Sequence, residues 1–594
     1  MRTGRPDQLP RPQLVRRRMS LIEAGADEQI EKAAAGRHCP IKIRSHLRKR
    51  SIVISPDGTR LLTCVQAPTN LKRHSAMARL TDITGYAEAH RHFSKDALWD
   101  LFNGDRAQLN IGHECVDRHA PDRTAIRVAR DDGTYESATF GELRDWSNRF
   151  ANWLIADGVQ KGDRIAIMLE PSLAFYLSLY GAMKMGAVAV PLFTLFGPDG
   201  LRLRLQDCDP KFLLTTENLA NEAQLEGSVR TVLVEEGFIE TLQTQSATFT
   251  PDTSADDMAM YQYTSGTTRE LPEAVKHRHR AIVTVIIAAL YATGVRPGDR
   301  YMCPSSPAWG HGLWHGTLAP MAMGVEIASY AGRFDAKTLF NAIQEMGITN
   351  LSAAATHYRM MKNAGCGPAD DSRIEKLSFT GEPIDSDTET WVEQTFGVPV
   401  CSIYGTTEVG VVLASYPGAA DFDVRPGALG KPMPGVVLDI HDANGRSCAA
   451  GQVGEIMLKR RDGWFSIKDL GHRDEDGYWW HDGRADDVII SAGWTMSAKE
   501  IEDTLLAHAD VDEAAAIAVP DDARGQVAKA FIVSPRPADE NFAAELQEFT
   551  KQRLARHEYP RRIEFADSLP KTPAGKVNRK ALRDLEAKRK DETT

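Results

Sequence analysis

The run YQYTSGTTRELPEAVKH, from Tyr261 to His277, is the most informative stretch of this chain. A short aromatic and apolar segment opens it, as expected of a strand that leads into a loop. The loop then gathers hydroxyl residues, a glycine and a closing lysine, which are Thr264, Ser265, Gly266, Thr267, Thr268 and Lys276. Closely spaced backbone N–H groups, hydroxyls and an ammonium group are what a polyphosphate requires, and glycine lets the backbone approach the anion. The run therefore predicts a phosphate-binding loop. It lacks the spacing of a Walker loop, and a surface turn of small polar residues is the alternative.

Three further motifs follow in order along the chain. They are YGTTE at Tyr404–Glu408, DGRADD at Asp482–Asp487 and PKTPAGKVNR at Pro570–Arg579. Together with the first run they resemble the signatures of the adenylate-forming superfamily, which contains acyl-CoA synthetases, adenylation domains of peptide synthetases and luciferases. The resemblance extends from about Leu98 to the end of the chain. It implies an enzyme that uses ATP and Mg²⁺ to activate a carboxylic acid as acyl-AMP, and then transfers the acyl group to coenzyme A.

The composition is that of an ordinary soluble enzyme. The chain has 594 residues, of which 42% are hydrophobic and 26% charged, so it has room for more than one domain. A net charge of −10 gives no reason to expect nucleic-acid binding. The eight cysteines form no C-x-x-C pair, which argues against a disulfide framework or a zinc site and favours the cytoplasm. No apolar run is long enough for a membrane span. The resemblance implies a monomer or homodimer whose partners are a small carboxylic acid, ATP and CoA.

Residues 1–76 differ in charge from the rest of the chain. They contain 16 basic and 6 acidic residues, a net charge of +10, which leaves −20 for the remainder. A favourable start follows at Met77. We expect residues 1–76 to be disordered or a non-native extension that precedes the true start. A basic targeting presequence is the alternative, and its acidic residues count against it.

Helix and strand signals alternate after this segment. Thr139 and Glu142 form a capping box that begins a helix, and Gly158 ends that helix. Arg164–Leu169 and Ala187–Leu192 read as short buried strands. This rhythm predicts parallel sheets with helices on both faces. The heptapeptide GVQKGDR before the first of these strands returns later as GVRPGDR at 294–300, which suggests two similar α/β subdomains, although chance similarity of such a turn is the alternative.

The pattern changes from Gly427 onward. Closely spaced glycines and prolines separate short strands, which predicts an antiparallel β subdomain. After Asp486 the chain returns to mixed α/β. We therefore expect an α/β protein whose large N-terminal domain, 77–485, contains two doubly wound subdomains and a β subdomain. A small mobile α+β domain, 486–594, follows it.

The resemblance assigns the phosphate loop to the β- and γ-phosphates of ATP, through Thr264–Thr268 and Lys276. The loop departs from the family pattern, because Arg269 stands where a glycine is usual and Lys276 comes late. The added guanidinium could bind phosphate with two hydrogen bonds. Which cation replaces the usual lysine stays open.

The resemblance also assigns the nucleotide contacts. Tyr404 would stack on adenine, Thr407 would contact the α-phosphate, and Glu408 would hold Mg²⁺ through its carboxylate oxygens. A solvated loop acid is the alternative for Glu408. The remaining predicted nucleotide-binding positions are Gly381, Glu382 and Pro383, which line the adenine, and Gly405 and Thr406.

Two further residues match the ribose contacts of the family. Asp469 would bind both ribose hydroxyls, since a carboxylate accepts two such hydrogen bonds. Arg484 would be the second ribose contact. Ile467 and Lys468 replace the Thr-Gly that the family places before this aspartate, and a simple turn residue is the alternative for Asp469.

The C-terminal motifs match the moving parts of the family. Lys576 would be the catalytic lysine, together with Thr264 and Glu408, because its compact charge suits the developing charge on phosphorus. A surface lysine in a basic tail is the alternative. Asp486 would be the hinge of the small domain, and Gly493 would let the pantetheine arm of CoA pass. Thr495 stands where many relatives have arginine.

The acid itself should bind near the segment PAWGHGLWHG, at 307–316. Trp309 and His311 are the predicted pocket residues, with Trp314 as a further candidate, and all three could equally be core residues. Relatives specific for acetate carry tryptophan at the position of Gly405. The glycine here predicts an acid larger than acetate, in the medium-chain and benzoate-like branch. The rival functions are loading of a carrier protein and non-catalytic nucleotide binding.

Overall fold

A computed structural model of the chain describes most of the sequence beyond its first 78 residues. The described ranges are 79–196, 198–224, 229–235, 237–263, 274–369, 371–406, 409–484, 488–491, 494–521, 525–554, 559–571 and 577–593. The predicted extension at 1–76 lies outside them.

The strands alternate with helices up to about residue 406 and then follow one another directly. In chain order the strands are β1 (Thr124–Arg130), β2 (Tyr135–Thr139), β3 (Arg164–Ile167), β4 (Val188–Pro191), β5 (Phe212–Thr215), β6 (Thr231–Leu233), β7 (Met258–Gln262), β8 (Val275–Arg278), β9 (Arg300–Met302), β10 (Glu326–Ala331), β11 (Asn350–Ala354), β12 (Lys376–Thr380), β13 (Val400–Thr406), β14 (Gly410–Ala414), β15 (Lys431–Pro432), β16 (Leu438–His441), β17 (Gly454–Arg460), β18 (Gly463–Arg473), β19 (Trp479–Arg484), β20 (Val488–Ser491), β21 (Trp494–Ser497), β22 (Glu513–Asp521), β23 (Gly525–Val533) and β24 (Arg562–Phe565).

The α-helices fill the connections between these strands. In chain order they are α1 (Tyr86–His92), α2 (Lys95–Trp99), α3 (Phe140–Ala156), α4 (Leu173–Met185), α5 (Pro198–Cys208), α6 (Glu217–Glu222), α7 (Phe238–Leu242), α8 (Ala281–Tyr291), α9 (Ala319–Ala322), α10 (Ala336–Glu345), α11 (Ala355–Asn363), α12 (Ser386–Phe396), α13 (Ala498–Leu506), α14 (Glu540–Arg553) and α15 (Arg579–Thr593). Leu80–Asp82 is a 3₁₀ turn, and His113–Asp117 and His311–Leu318 are π-helical.

The sheets confirm the predicted fold class. One sheet has the order β15-β14-β13-β12-β11-β9-β10-β1-β2 and another the order β6-β5-β3-β4-β7-β8. Both are parallel through their centres and antiparallel only towards an edge. The antiparallel sheet β16-β17-β18-β19 follows, and β22-β23-β24 with α13 to α15 forms a smaller C-terminal part. These are the two α/β subdomains, the β subdomain and the α+β region that the sequence predicts.

The repeated heptapeptide forms the same turn twice. Gly158 and Gly294 both take a left-handed φ, of 81° and 65°, directly after a helix. In each copy the aspartate, Asp163 or Asp299, accepts a hydrogen bond of 2.9 Å from the backbone N–H three residues earlier. Each turn leads directly into a central parallel strand, β3 or β9. The similarity between the two heptapeptides is therefore structural, because each copy changes a helix into a strand in the same way.

The described chain is attached to the core from its first residues. Leu80 and Ile83 are 3% and 2% exposed and belong to the main hydrophobic cluster. Arg296 donates a hydrogen bond of 2.8 Å to the carbonyl oxygen of Ile83. The carboxylate of Asp421 accepts from the backbone N–H of Tyr86 at 2.6 Å and of Ala87 at 3.0 Å. The segment just after Met77 is therefore part of the folded enzyme.

A chain that begins at Met77 is expected to fold and to match the full chain in activity, because every contact just described is retained. Its melting temperature should change by less than about 2 °C, equivalent to under roughly 1 kcal/mol in a large domain. The matched control is a chain that begins at Asp96, which lacks Leu80, Ile83 and Tyr86 and should melt several degrees lower. Aggregation of the Met77 chain would show that residues 1–76 pack on the enzyme.

The cysteines of the described ranges are unpaired and mostly buried. Burial raises the pKa of the Cys303 and Cys401 thiols to about 12 and that of Cys208 to about 11. These thiols behave as small apolar side chains at neutral pH. Within the described residues, no helix is both long enough and apolar enough to cross a bilayer.

Candidate active site

The carboxyl ends of three neighbouring parallel strands define the site. β11, β12 and β13 lie side by side and end at Ala354, Thr380 and Thr406. Thr380 donates a hydrogen bond of 3.0 Å to the carbonyl oxygen of Ile403, which joins the ends of β12 and β13. Open α/β sheets bind ligands at this edge. The predicted adenine loop and the YGTTE motif both begin here.

The adenine loop follows β12 directly. Gly381 has a left-handed φ of 95°, and no heavy atom lies within 4 Å of the Cβ position that a larger residue would have. Glu382 accepts hydrogen bonds from the hydroxyl of Thr356 and from Arg359, the latter at 3.3 Å. The loop is therefore held by α11 on one side and leaves free space on the other.

Tyr404 and Asp469 meet across the site. The Tyr404 hydroxyl donates a hydrogen bond to Asp469 Oδ2, and His481 Nε2 lies 3.9 Å from Asp469 Oδ1. Asp469 is only 4% exposed. In the pairing of β18 with β19 it stands directly opposite Arg484. The structure thus brings together three residues that the sequence assigns to adenine and ribose, although they lie up to 80 positions apart.

An irregularity in β18 directs Asp469. Between the pairs Met457–Ser466 and Glu455–Leu470 the register shifts, so that β18 has extra residues against β17. Lys468 lies in this bulge with a φ of 64°, and its backbone N–H donates to Ser466 Oγ at 3.0 Å. Bulges turn the following side chain. The left-handed conformation of Lys468 is one that glycine would adopt without strain.

A cavity of about 770 Å³ connects these elements. Its wall contains Glu382 and Pro383 from the adenine loop, and His481 and Gly483 from β19. Val577, which follows Lys576 in the chain, lines the same cavity, and so do residues of α13. This volume is within the range of small-molecule and cofactor pockets.

The segment that contains Lys576 is closed at its base. Lys571 pairs with Val577 in an isolated bridge, and the backbone N–H of Asn578 donates to the carbonyl oxygen of Pro570 at 2.7 Å. Arg579 donates from Nε to Glu502 of α13 at 2.9 Å. The two flanks of this loop are therefore fixed beside the cavity.

The phosphate-loop run forms the connection of a hairpin between β7 and β8. Its final lysine, Lys276, is exposed, pairs with Tyr261 in the ladder and holds its ammonium nitrogen 5.2 Å from the centre of that ring. Alternation along the strands places Gln262 and His277 on the opposite face. Lys276 is therefore close to the loop but on the face away from the predicted acid pocket.

The predicted pocket residues differ in their surroundings. Trp314 is 5% exposed, donates to Gln262 Oε1 at 2.9 Å and packs edge-on against His277, so it is a core residue. Trp309 keeps accessible surface, and its ring centre lies 5.9 Å from that of Phe193. His311 also keeps accessible surface, and its Nε2 lies 3.2 Å from Ser352 Oγ.

Sequence reasoning missed several polar groups beside His311. Ser378 Oγ donates to Ser352 Oγ at 2.8 Å and so extends the contact of His311. His315 lies one π-helical turn further on, with its ring centre 5.8 Å from that of His311. Burial lowers the pKa of His277, His311 and His357 to about 4 and that of His315 to about 3. The i, i+4 spacing of His311 and His315 was visible in the sequence, but the contacts from β11 and β12 were not.

The structure corrects the role assumed for Gly405. A Cβ at this position would lie 2.0 Å from the carbonyl oxygen of Gly410 and 2.7 Å from Val411 Cα, both on the neighbouring strand β14. A side chain at 405 would therefore enter the backbone of β14 rather than the space for the acid. Glycine at this position permits the close approach of β13 and β14.

The remaining predicted site residues lie outside the described residues. They are Thr264, Ser265, Gly266, Thr267, Thr268, Thr407, Glu408, Asp486, Gly493 and Lys576. Of the predicted positions that are described, the adenine loop, Tyr404, Gly405, Thr406, Asp469 and Arg484 lie in or beside one site. Their roles stay predictions.

Two family models match this chain. The AMP-binding enzyme model matches residues 113–464, and the model of the AMP-binding enzyme C-terminal domain matches residues 500–576. The chain is 31% identical over 563 residues to the acetyl-coenzyme A synthetase of Bacillus subtilis (strain 168), covering 87% of this chain and 98% of that protein.

Solved structures give the same result. An acyl-CoA synthetase of Brucella canis is 28% identical with a TM-score of 0.65, over 86% of this chain and 100% of that one. A benzoate CoA ligase from Burkholderia xenovorans LB400 is 26% identical with a TM-score of 0.67, over 80% of this chain and 100% of that one. Because the first family model covers more than half of the sequence, and because the Bacillus subtilis relative is 31% identical over most of both chains, the chain belongs to the AMP-binding enzymes and is an adenylate-forming acyl-CoA synthetase.

Proposed function

We propose that this acid:CoA ligase acts on a carboxylic acid larger than acetate, of the medium-chain, alicyclic or aromatic kind. The observation that carries this proposal is the free space beside Gly381, at the carboxyl end of β12. The similarity to a benzoate CoA ligase supports it further. The similarity to an acetyl-coenzyme A synthetase makes acetate the competing substrate.

The nucleotide would lie across the ends of β11 to β13. Tyr404 would stack on adenine. Because the Tyr404 hydroxyl donates to Asp469, this carboxylate would have to leave the hydroxyl or share it with the ribose when the nucleotide binds. Asp469 and Arg484, opposite each other in the ladder, would hold the ribose from two strands. A carboxylate buried to this degree favours hydroxyl donors that replace water. Thr264–Thr268 and Lys276 would hold the outer phosphates.

The first step joins one carboxylate oxygen of the acid to the α-phosphorus of ATP and releases pyrophosphate. Lys576 would neutralise the charge that develops on the α-phosphate and on the acid, with Thr264 and Thr407 as further donors. Mg²⁺, when bound at Glu408, would supply charge neutralisation to the phosphates. The CoA thiol then attacks the acyl carbon and releases AMP, with Gly493 beside the pantetheine arm after rotation at Asp486.

The test is ATP–pyrophosphate exchange with a series of acids from acetate to octanoate, with cyclohexanecarboxylate and benzoate added. The expected result is a kcat/KM that rises at least 10-fold from acetate to the best larger acid, since each buried methylene contributes about 0.8 kcal/mol. Acetate as the best substrate would overturn the proposed size of the acid. Release of AMP without a free CoA thioester would favour a carrier-protein acceptor.

A change at Lys468 tests the ribose side of the site. A left-handed L-residue costs about 1–2 kcal/mol, which glycine avoids, whereas the larger loss of backbone entropy on folding costs glycine about 0.5–1 kcal/mol. Lys468→Gly is therefore expected to keep or slightly raise the stability of the enzyme. Lys468→Val should raise the Kd for ATP several-fold, since a branched side chain disfavours the bulge that directs Asp469. Equal ATP affinity in all three proteins, measured by calorimetry, would show that the bulge does not position Asp469.

A further inference from the structure

Three histidines form a cluster beside the predicted acid pocket, and adenylation as described does not use them. They are His311, His315 and His357, called the histidine cluster below. The rings of His311 and His315 are 5.8 Å apart, and His311 contributes to the lowered pKa of both other histidines. Within the described ranges no group of three such side chains is arranged to hold a metal ion. The cluster therefore needs another explanation.

Two of these rings are held in fixed orientations. His311 Nε2 is held by Ser352 Oγ, which in turn accepts from Ser378 Oγ, and both serines are fully buried. His357 Nδ1 accepts a hydrogen bond of 3.1 Å from the backbone N–H of Ala354. A neutral imidazole that accepts at Nδ1 carries its proton on Nε2. His357 is therefore a hydrogen-bond donor in a known direction.

The other nitrogens of these two rings remain available. The contacts just described run through His311 Nε2 and His357 Nδ1, and neither of the other two nitrogens is among the buried atoms of the described residues that lack a partner. Both residues keep some accessible surface, although burial lowers the pKa of both rings to about 4. Ser352, the partner of His311, lies on β11, and His357 lies in α11 directly after β11. Both rings therefore lie beside the carboxyl end of β11, next to the strand β12 that Gly381 follows.

The chemistry of these two rings selects among acids. At neutral pH both rings are uncharged, so they offer directed hydrogen bonds and no positive charge. An alkyl chain would bury these nitrogens without partners, which is unfavourable. A second carboxylate would lose its hydration, and the two uncharged rings would offer it no positive charge. A hydroxyl or keto oxygen can accept from His357 and bond to His311.

We propose that the acid carries a neutral hydrogen-bonding group, a hydroxyl or a carbonyl, at a distance from its carboxylate, and that His311 and His357 recognise this group. The inference rests on the proposed function and adds the substrate class to it. The two histidines determine specificity and take no part in the transfer to phosphorus.

The experiment compares acids in which a hydroxyl replaces a methyl, 4-hydroxybutanoate with pentanoate and 5-hydroxypentanoate with hexanoate, and includes glutarate. The natural chain should favour one hydroxy acid over its alkyl partner by about 10- to 100-fold in kcat/KM, the effect of leaving a buried polar group unpaired. His357→Phe and His311→Phe should each lower kcat/KM for the hydroxy acid about 10-fold more than for the alkyl acid.

Conservative variants keep the test independent of folding. His357→Gln and His311→Asn place an amide where the free ring nitrogen was and should restore part of the preference. His508→Phe is the control, since His508 lies in the C-terminal part and contacts Glu545. An alkyl acid or glutarate as the best substrate, or equal losses on both acids, would overturn the inference. Failure of every acid to give AMP and a thioester would instead overturn the proposed function.

Discussion

Replacing Lys576 with alanine is expected to lower acid-dependent ATP–pyrophosphate exchange by roughly 10²–10³-fold, the usual effect of removing one preorganised charge from a transition state. The flanks of its segment are fixed beside the cavity by the Lys571–Val577 bridge and by the pairing of Arg579 with Glu502. The positions that flank this segment are therefore held in place. Thioester formation from added acyl-AMP should fall much less, because no pyrophosphate leaves in that step.

The matched control is Lys571→Ala in the same segment. Lys571 pairs with Glu513 at 2.8 Å at an exposed position, so its loss should change stability by at most about 1 kcal/mol and leave both half-reactions intact. Both half-reactions are measured separately for each variant. Equal losses in the two steps for Lys576→Ala, or no loss in either, would contradict the role proposed for this lysine.

Gly405→Ala is expected to destabilise the enzyme, and Gly405→Trp to prevent its accumulation as a folded protein. Even one methyl group would lie 2.0 Å from the carbonyl oxygen of Gly410, and this neighbour is backbone that cannot rotate away. Overpacking of this kind costs about 1–3 kcal/mol or more, which lowers the melting temperature by roughly 3–10 °C. Turnover of all acids should fall together, because the adjacent Tyr404 moves with the strand.

Gly200→Ala is the control for the alanine change. Gly200 lies in α5, where the added methyl group meets only the end of the Arg204 side chain at 3.3 Å. This substitution should be neutral or slightly stabilising, since alanine favours helix over glycine by about 1 kcal/mol. A folded Gly405→Trp enzyme that stays active on acetate and loses activity on bulky acids would show that β14 moves aside. It would also show that a side chain at position 405 reaches the bound acid.

Local signals in the sequence predicted the fold well. The Thr139–Glu142 capping box begins α3 as expected, and the two Gly-Asp turns lead into parallel strands. Each of these features depends on residues within a few positions of one another. The order of the motifs also placed Tyr404 and Asp469 in one site, because each follows or lies on a strand whose pairing is fixed by the fold.

Other features depend on contacts between distant segments and could not be predicted. The direction of a side chain at position 405 depends on how closely β14 approaches. The left-handed Lys468 depends on a register shift between two strands. The tautomer of His357 depends on one backbone N–H, and the orientation of His311 on serines from two strands. The sequence shows the residues in each case but not the partner.

The reaction rates of the buried thiols report local opening of the fold. Only a thiolate attacks a thiol reagent, and burial keeps Cys303 and Cys401 protonated at neutral pH. Their modification therefore has to wait for local opening of the strands around them. Cys401 lies on β13, three residues before Tyr404. The rate at which Cys401 is modified therefore reports how often this strand of the nucleotide site opens locally.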